Sequence, residues 1–199
     1  MGTISHLPTR KTGRPTTESW KVTRDKYLTP TQMKALLAKA KKSGRYPERD
    51  YTLLLIGYRH GLRVSELIAL RWKDVDMKAG YIHIRRLKNG VDSVHPLRAA
   101  ELTALKRLKK KAESPYIFTT ERGTPMTADN VRKIISRIGE EANLGHLHPH
   151  MLRHSCGYKL ANDGVDTRAL AHYLGHKNLQ NTAVYTALSP KRFDQFWLD

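Results

Sequence analysis

Apolar positions recur at helical spacing through most of the chain. Thr29-Pro30 reads as an N-cap followed by proline at the first helical position, Met33, Leu36 and Leu37 share one face, and Gly44 closes the segment. A second helix from about Glu48 to His60 has an almost wholly apolar centre, which predicts burial, and Gly61 breaks it. Val64, Leu67 and Ile68 mark a third, from Arg63 to Leu70. The period then changes to two. Tyr81, His83 and Arg85 alternate with Ile82, Ile84 and Arg86, Asn89-Gly90 signals a tight turn, and Val91-Asp92-Ser93-Val94-His95 returns. This predicts a β-hairpin with Lys88 beside its turn. A basic helix (Leu97 to Ala112), a short strand (Tyr116-Ile117-Phe118) and a turn (Gly123-Thr124-Pro125) follow. Thr127 or Asp129 caps a helix with Val131, Ile134, Ile135 and Ile138 on one face. Pro149 starts another that Gly164 ends, and short helices lie near Thr167–Leu174, Asn178–Thr186 and Pro190–Trp197. The predicted class is mostly α with a small antiparallel β-sheet (α+β).

Length and charge narrow this further. The 199 residues suit one domain with a short arm. Residues 1–27 are rich in Thr, Lys, Arg, Gly and Pro, and read either as a disordered terminus or as a basic arm that orders on DNA, with Trp20 the residue a random tail would not carry. The folded domain is expected over 28–188, with 189–199 a terminal helix. Cys156 is the sole cysteine, which excludes an intramolecular disulfide and a Cys-rich zinc site, and its place inside a helix reads as a small buried hydrophobe. The longest apolar stretch, Leu53 to Tyr58, is too short to span a bilayer, and the first residues show no signal-peptide core. A soluble cytoplasmic protein is expected. The 36 Lys+Arg against 18 Asp+Glu, a formal charge of +18, point to a polyanion: nucleic acid first, an anionic membrane second.

Three segments concentrate polar residues where a plain core would not. In His60-Gly61-Leu62-Arg63-Val64-Ser65-Glu66, glycine turns the chain and Arg63 falls at a helix N-terminus, where backbone N–H groups favour an anion. Glu66, one turn on, could orient its guanidinium, although the same pair also reads as an ordinary surface ion pair. In His148-Pro149-His150-Met151-Leu152-Arg153-His154, the i,i+3 and i,i+4 spacings let His150, Arg153 and His154 face one ligand. The third is Leu174-Gly175-His176, followed nine residues later by Tyr185. Zinc is the rival for these histidines, but the glutamate of H-E-x-x-H is absent and an arginine sits between the two rings. No phosphate-loop motif occurs. Phosphate chemistry without a metal needs cations, a proton donor and a nucleophile. Arg63 and Arg153 can clamp bidentately, Lys88 can reach a leaving oxygen, histidines can move protons, and Tyr185 can attack once its proton is drawn away.

In this order the residues resemble the tyrosine recombinase (phage integrase) family, whose pattern runs Arg, Glu/Asp, Lys, His-x-x-Arg, His/Trp, Tyr. Here it reads Arg63 and Glu66, then Lys88, then His150-Met151-Leu152-Arg153, then His176, then Tyr185. The likeness covers roughly Leu28 to Tyr185. The brevity of the chain and the run from His148 to Gly157 most resemble the short recombinases that invert fimbrial promoter DNA. The resemblance implies a tyrosine recombinase catalytic domain and a site-specific recombinase that cuts and rejoins DNA through a 3′-phosphotyrosyl intermediate, inverting or integrating and excising a segment, with no ATP, metal or cofactor. It implies Tyr185 as nucleophile, Lys88 as the acid for the leaving oxygen, and Arg63, Arg153 and His176 around the nonbridging oxygens. His150 would manage the tyrosine proton, Glu66 would hold Arg63, and His154 would stand one layer back.

The partners so implied are double-stranded DNA with specific recombination sites, three further copies of the chain in a homotetramer, and accessory DNA-bending proteins. Lys106, Arg107, Lys109, Lys110 and Lys111 would track phosphates, as would Lys39, Lys41, Lys42 and Arg45, although the first run reads equally as a solvated helix face. The stripe Phe193, Phe196 and Trp197 packs either on its own core or on a neighbouring protomer. Larger family members carry an N-terminal core-binding domain, for which the arm would substitute in part. A DNA-binding regulator that never cuts and a topoisomerase-like nicking enzyme are the competing readings, and the complete residue set favours the recombinase over the regulator.

Overall fold

A computed structural model describes residues 26–86 and 90–187. Residues 1–25 of the arm, with Trp20, the hairpin residues Leu87, Lys88 and Asn89, and the terminal stripe Phe193, Phe196 and Trp197 lie outside the described residues.

The helices begin where local chemistry starts them. In α1 (Pro30–Ala40) the Thr29 hydroxyl accepts from the Gln32 N–H, and Gln32 Oε1 accepts from the Thr29 N–H. Helix α2 (Pro47–Arg59) has proline in its first turn, with Glu48 and Asp50 beside the positive end of its dipole. Residues 52–57 are all buried, because α1, α4 (Ala99–Lys109) and α6 (Pro149–Asn162) pack around this helix. The short α3 (Val64–Ala69) follows directly. Helix α5 (Ala128–Glu141) is capped by Thr127 and buries Val131, Ile134, Ile135 and Ile138. Helix α7 (Thr167–Leu174) starts at Asp166, whose carboxylate accepts from two backbone N–H groups, and ends at Gly175 in the left-handed conformation. Helix α8 (Gln180–Ala187) completes the described fold.

The sheet is small and antiparallel, with strands β1 (Val75–Asp76), β2 (Tyr81–Ile84) and β3 (Ser93–Pro96) in that order. Strand β1 was not foreseen, since two residues carry no period. The described hairpin pairs run from Tyr81 with Pro96 to Ile84 with Ser93, and the tight turn expected at Asn89-Gly90 falls partly outside the described residues. The Arg86 N–H turns to the Asp92 carboxylate at 2.7 Å. The strand expected at Tyr116–Phe118 is a single bridge from Tyr116 to Arg71, because its apolar residues are used to fill the core: Phe118 is fully buried.

Two apolar clusters share α6. Its first half adds Met151 and Leu152 to the main core of Leu53, Leu54, Ile56, Leu105, Phe118 and Ile135. Its second half adds Cys156, Tyr158 and Ala161 to a smaller cluster with Leu170, Leu174 and Tyr185. Functional side chains therefore collect along α6, between the two. The turn after α2 reaches this seam through Gly61, at φ +57°, where an added Cβ would run into Leu174 Cδ2 and lie 3.3 Å from Cys156 Sγ. Gly61→Ala combines left-handed strain with overpacking and should destabilise the fold by roughly 1–3 kcal/mol. A urea midpoint equal to wild type would show that this approach does not constrain the turn.

Candidate active site

The site is organised by one buried carboxylate. Glu66, one turn into α3, accepts the Arg63 N–H at 2.9 Å and Arg63 Nη1 at 2.8 Å. Oε2, the oxygen that takes the Arg63 N–H, also takes Arg86 Nη1 at 2.8 Å and lies 4.0 Å from Arg153 Nη1, while Oε1 takes Arg63 Nη1. Three guanidiniums thus face one negative charge. Burial separates their tasks: the Arg86 side chain is 0% exposed and Arg153 4%, while Arg63 is 29% exposed and offers its guanidinium outward.

The two buried arginines are held from behind by backbone carbonyls. Arg153 donates to Gly61 O at 2.5 Å and to Leu174 O at 2.7 Å, and Arg86 donates to Tyr173 O. Tyr173 and Leu174 form the last turn of α7, where carbonyls lack helical partners and the dipole favours cations. Burial, then Arg63 and Arg86, push Arg153 down to about 10, still charged at neutral pH. Burial also lowers Arg86. The cluster carries more positive charge than its carboxylate can balance, so a phosphate between these groups would relieve it.

Tyr185, on α8, is buried beside this cluster. Its hydroxyl lies 2.9 Å from His154 Nδ1. The ring passes over Gly157, where a Cβ would lie 2.8 Å from ring carbons, and meets Tyr158 edge-on at 5.6 Å. Burial raises the Tyr185 pKa, with Arg153 and Arg63 pulling the other way. His154 is pushed down to about 4 by burial and then by His150 and Arg153, so at neutral pH it is an uncharged base at the phenol. His176 stands parallel to the Tyr185 ring at 6.5 Å, its Nδ1 engaged by Thr182 Oγ1 at 2.8 Å, which leaves Nε2 for a ligand. Burial, then Arg153 and Arg63, push it to about 4.

The structure thus brings together Arg63, Glu66, Arg153, His154, His176 and Tyr185. One placement differs from the expectation. His150 was expected at the tyrosine with His154 one layer back, but the ring at the Tyr185 hydroxyl is that of His154. Helix α8 seats Tyr185 against the second and third turns of α6, at His154, Gly157 and Tyr158. His150, a turn earlier, is exposed, its ring 6.4 Å from that of His154. Arg86 was missed as a site residue, although the alternation carried a signal: it continues the inward register of Ile82 and Ile84, where a charge demands a buried partner. Arg86 and Gly90, the described residues on either side of 87–89, both lie against Gly175.

The basic runs lie apart from this cluster. Glu101, at the start of α4, pairs with His60 beside the arginine turn, whereas Lys111, beyond its other end, pairs with Glu48 at the start of α2. Lys106, Arg107, Lys109, Lys110 and Lys111 are exposed. Lys109 covers Trp72 at 4.8 Å. Lys39, Lys41, Lys42 and Arg45 are exposed too, with Lys41 over Tyr51 and Arg45 paired to Glu121. Among the described residues no group of three or more His, Cys, Asp or Glu is arranged to hold a metal ion, and no helix is long and apolar enough to cross a membrane.

The sequence pattern of the phage integrase family matches residues 26–192. The chain belongs to that family. This recombinase is 42% identical over 180 residues to the type 1 fimbriae regulatory protein FimE of Escherichia coli K12, covering 86% of this chain and 90% of FimE. It is 43% identical over 178 residues to FimB of the same strain, covering 86% and 88%. Its fold matches the crystal structure of the XerH site-specific recombinase bound to a palindromic difH substrate, with a TM-score of 0.74 at 23% identity over 86% of this chain and 51% of XerH.

Two measurements test the electrostatics. Glu66→Gln leaves buried guanidiniums without their counter-charge and should cost about 3–5 kcal/mol in urea unfolding; a loss below about 0.5 kcal/mol would show that Glu66 does not bind the cluster together. His154 and His176 are held near 4 when folded, against about 6.5 when unfolded. The unfolded chain therefore takes up these protons first. The stability they contribute is full above about pH 6.5 and is lost as the pH falls toward about 4. The denaturation midpoint should drop steadily between about pH 6.5 and 5, by a smaller amount in His154→Gln. A flat midpoint would show that neither ring is held neutral.

Proposed function

We propose that this site-specific DNA recombinase cuts DNA with Tyr185 and transfers the strand through a 3′-phosphotyrosyl intermediate. The observation that carries this reading is the 2.9 Å contact between Tyr185 Oη and His154 Nδ1, set beside the cluster of Arg63, Arg86 and Arg153 on Glu66. As Tyr185 Oη attacks the scissile phosphorus, His154 takes its proton. The bond to the 5′ oxygen breaks, and Lys88 protonates the leaving oxygen. Arg63 and Arg153 hold the nonbridging oxygens with His176 Nε2, stabilising charge that grows in the transition state. The 5′-hydroxyl of a partner strand then attacks the phosphotyrosine, releasing Tyr185. One phosphodiester replaces another, so the exchange needs no ATP.

The likeness to FimE and FimB over most of their length supports inversion of a segment between two inverted sites. Four copies on two sites, assisted by DNA-bending proteins, complete the reading, because each exchanged strand needs its own nucleophile.

Trapping on a nicked suicide substrate tests the chemistry. Tyr185→Phe should form no covalent adduct while its Kd for the site stays within about threefold, and His154→Ala should cut about 100-fold more slowly. Adduct at the wild-type level from Tyr185→Phe would transfer the nucleophile to another residue. On a plasmid with two inverted sites the wild type should yield inverted product, and relaxed plasmid without recombinants would instead mark a topoisomerase-like nicking enzyme.

A further inference from the structure

The Tyr173 and Leu174 carbonyls hold Arg86 and Arg153 from behind, so the last turn of α7 sets the direction of both guanidiniums. That turn is braced by a buried polar chain outside the catalytic cluster. Glu101 Oε2 accepts from Arg59 Nη1 at 2.8 Å and from the Arg98 N–H at 2.9 Å, and Oε1 lies 2.8 Å from His60 Nε2. His60 Nδ1 lies 3.1 Å from His95 Nδ1, and His95 Nε2 lies 2.9 Å from Ser93 Oγ. His60, His95 and Glu101 are each 1% exposed. The His95 ring lies flat on Tyr173, centroids 3.8 Å apart and planes 17° from parallel. The Tyr173 hydroxyl donates to the Arg59 carbonyl at 2.9 Å.

His60 Nε2 and Glu101 Oε1 meet as a close polar contact rather than an aligned hydrogen bond. The Nδ1–Nδ1 contact needs one donor and one acceptor, and Ser93 Oγ, which can do either, completes His95 Nε2 whichever way the protons run. Burial, then His60 and Arg86, push His95 down to about 3, so its ring is neutral. Burial works to raise Glu101, but His60, the Arg98 N–H and Arg59 together hold it below the usual carboxylate range. In either direction the His95 ring is set by His60 on one side and Ser93 on the other, and His95 is the link that touches α7.

We infer that His95 is a positioning residue for strand cleavage: locked through His60 to Glu101, its ring holds Tyr173, and with it the two α7 carbonyls that aim Arg86 and Arg153 and the turn that carries His176. It touches no reacting atom. The inference rests on the reading of Tyr185 as nucleophile and of the arginine cluster as the phosphate site.

Single-turnover cleavage of a nicked suicide substrate at saturating DNA, divided by the folded fraction from circular dichroism, separates position from stability. Tyr173→Leu keeps the backbone carbonyl and loses the stack and the hydroxyl bond. It should cleave about 10- to 100-fold more slowly, the penalty of an ångström-scale misplacement, with Kd changed less than about threefold. Tyr173→Phe keeps the stack and should stay within about threefold of the wild-type rate. His95→Ala should match Tyr173→Leu, and the double variant should be no slower than the slower single, because both remove one contact. If His95→Ala does not fold, the two Tyr173 variants decide alone. A wild-type rate per folded molecule in Tyr173→Leu overturns the inference, as do losses that multiply in the double variant. Absence of any adduct from the wild type overturns the strand-cleavage reading itself, and the positioning role with it.

Discussion

One carboxylate makes this site foldable. Three arginines drawn to one place repel each other, and two of them are nearly or fully removed from water. Among the described residues Glu66 is the only carboxylate paired with these guanidiniums, meeting Arg63 and Arg86 directly, with Arg153 at 4.0 Å. A second carboxylate would balance the charge and weaken the attraction for phosphate, while none would leave buried guanidiniums unpaired. The folded protein therefore holds uncompensated positive charge that DNA neutralises.

The remaining hydrogen-bonding capacity of those arginines goes to main-chain carbonyls. Gly61 O comes from the turn after α2, and Tyr173 O and Leu174 O from the end of α7. Carbonyls orient a guanidinium without cancelling its charge, as further carboxylates would. This makes two backbone turns part of the catalytic geometry. Gly61 and Gly175, both in the left-handed region, supply the sharp endings these turns require. Gly175 has a second task, since a side chain there would collide with Arg86.

The tyrosine side of the site obeys a different constraint. Tyr185 sits in the smaller apolar cluster with Cys156, Tyr158 and Leu174, where burial opposes ionisation. Neutral His154 at its hydroxyl and the guanidiniums nearby provide the opposing pull. Burial favours the protonated phenol, which fits the proposed role of a nucleophile that is regenerated after each exchange.

Much of this was legible in the chain. Helical apolar stripes with their caps and glycines placed every α-helix among the described residues to within a few positions, because such signals are local; the short 3-10 turn Trp72–Asp74 carried no such signal. The motif residues Arg63, Glu66, Arg153, His176 and Tyr185 announced phosphate chemistry through residue type and order. What the sequence by itself determined was therefore the inventory and the element that carries each member. Tertiary structure decided which member meets which. His150 and His154 share a helix face, and only the docking of α8 over Gly157 sets His154 at the phenol. Arg86 sat in an inward register whose partner, Glu66, lies in another element, and the links from His60 to His95 and Glu101 join residues far apart in sequence. Local periodicity records which side of an element is buried, whereas the partner of a buried charge depends on how elements pack, and that is not written in any one segment.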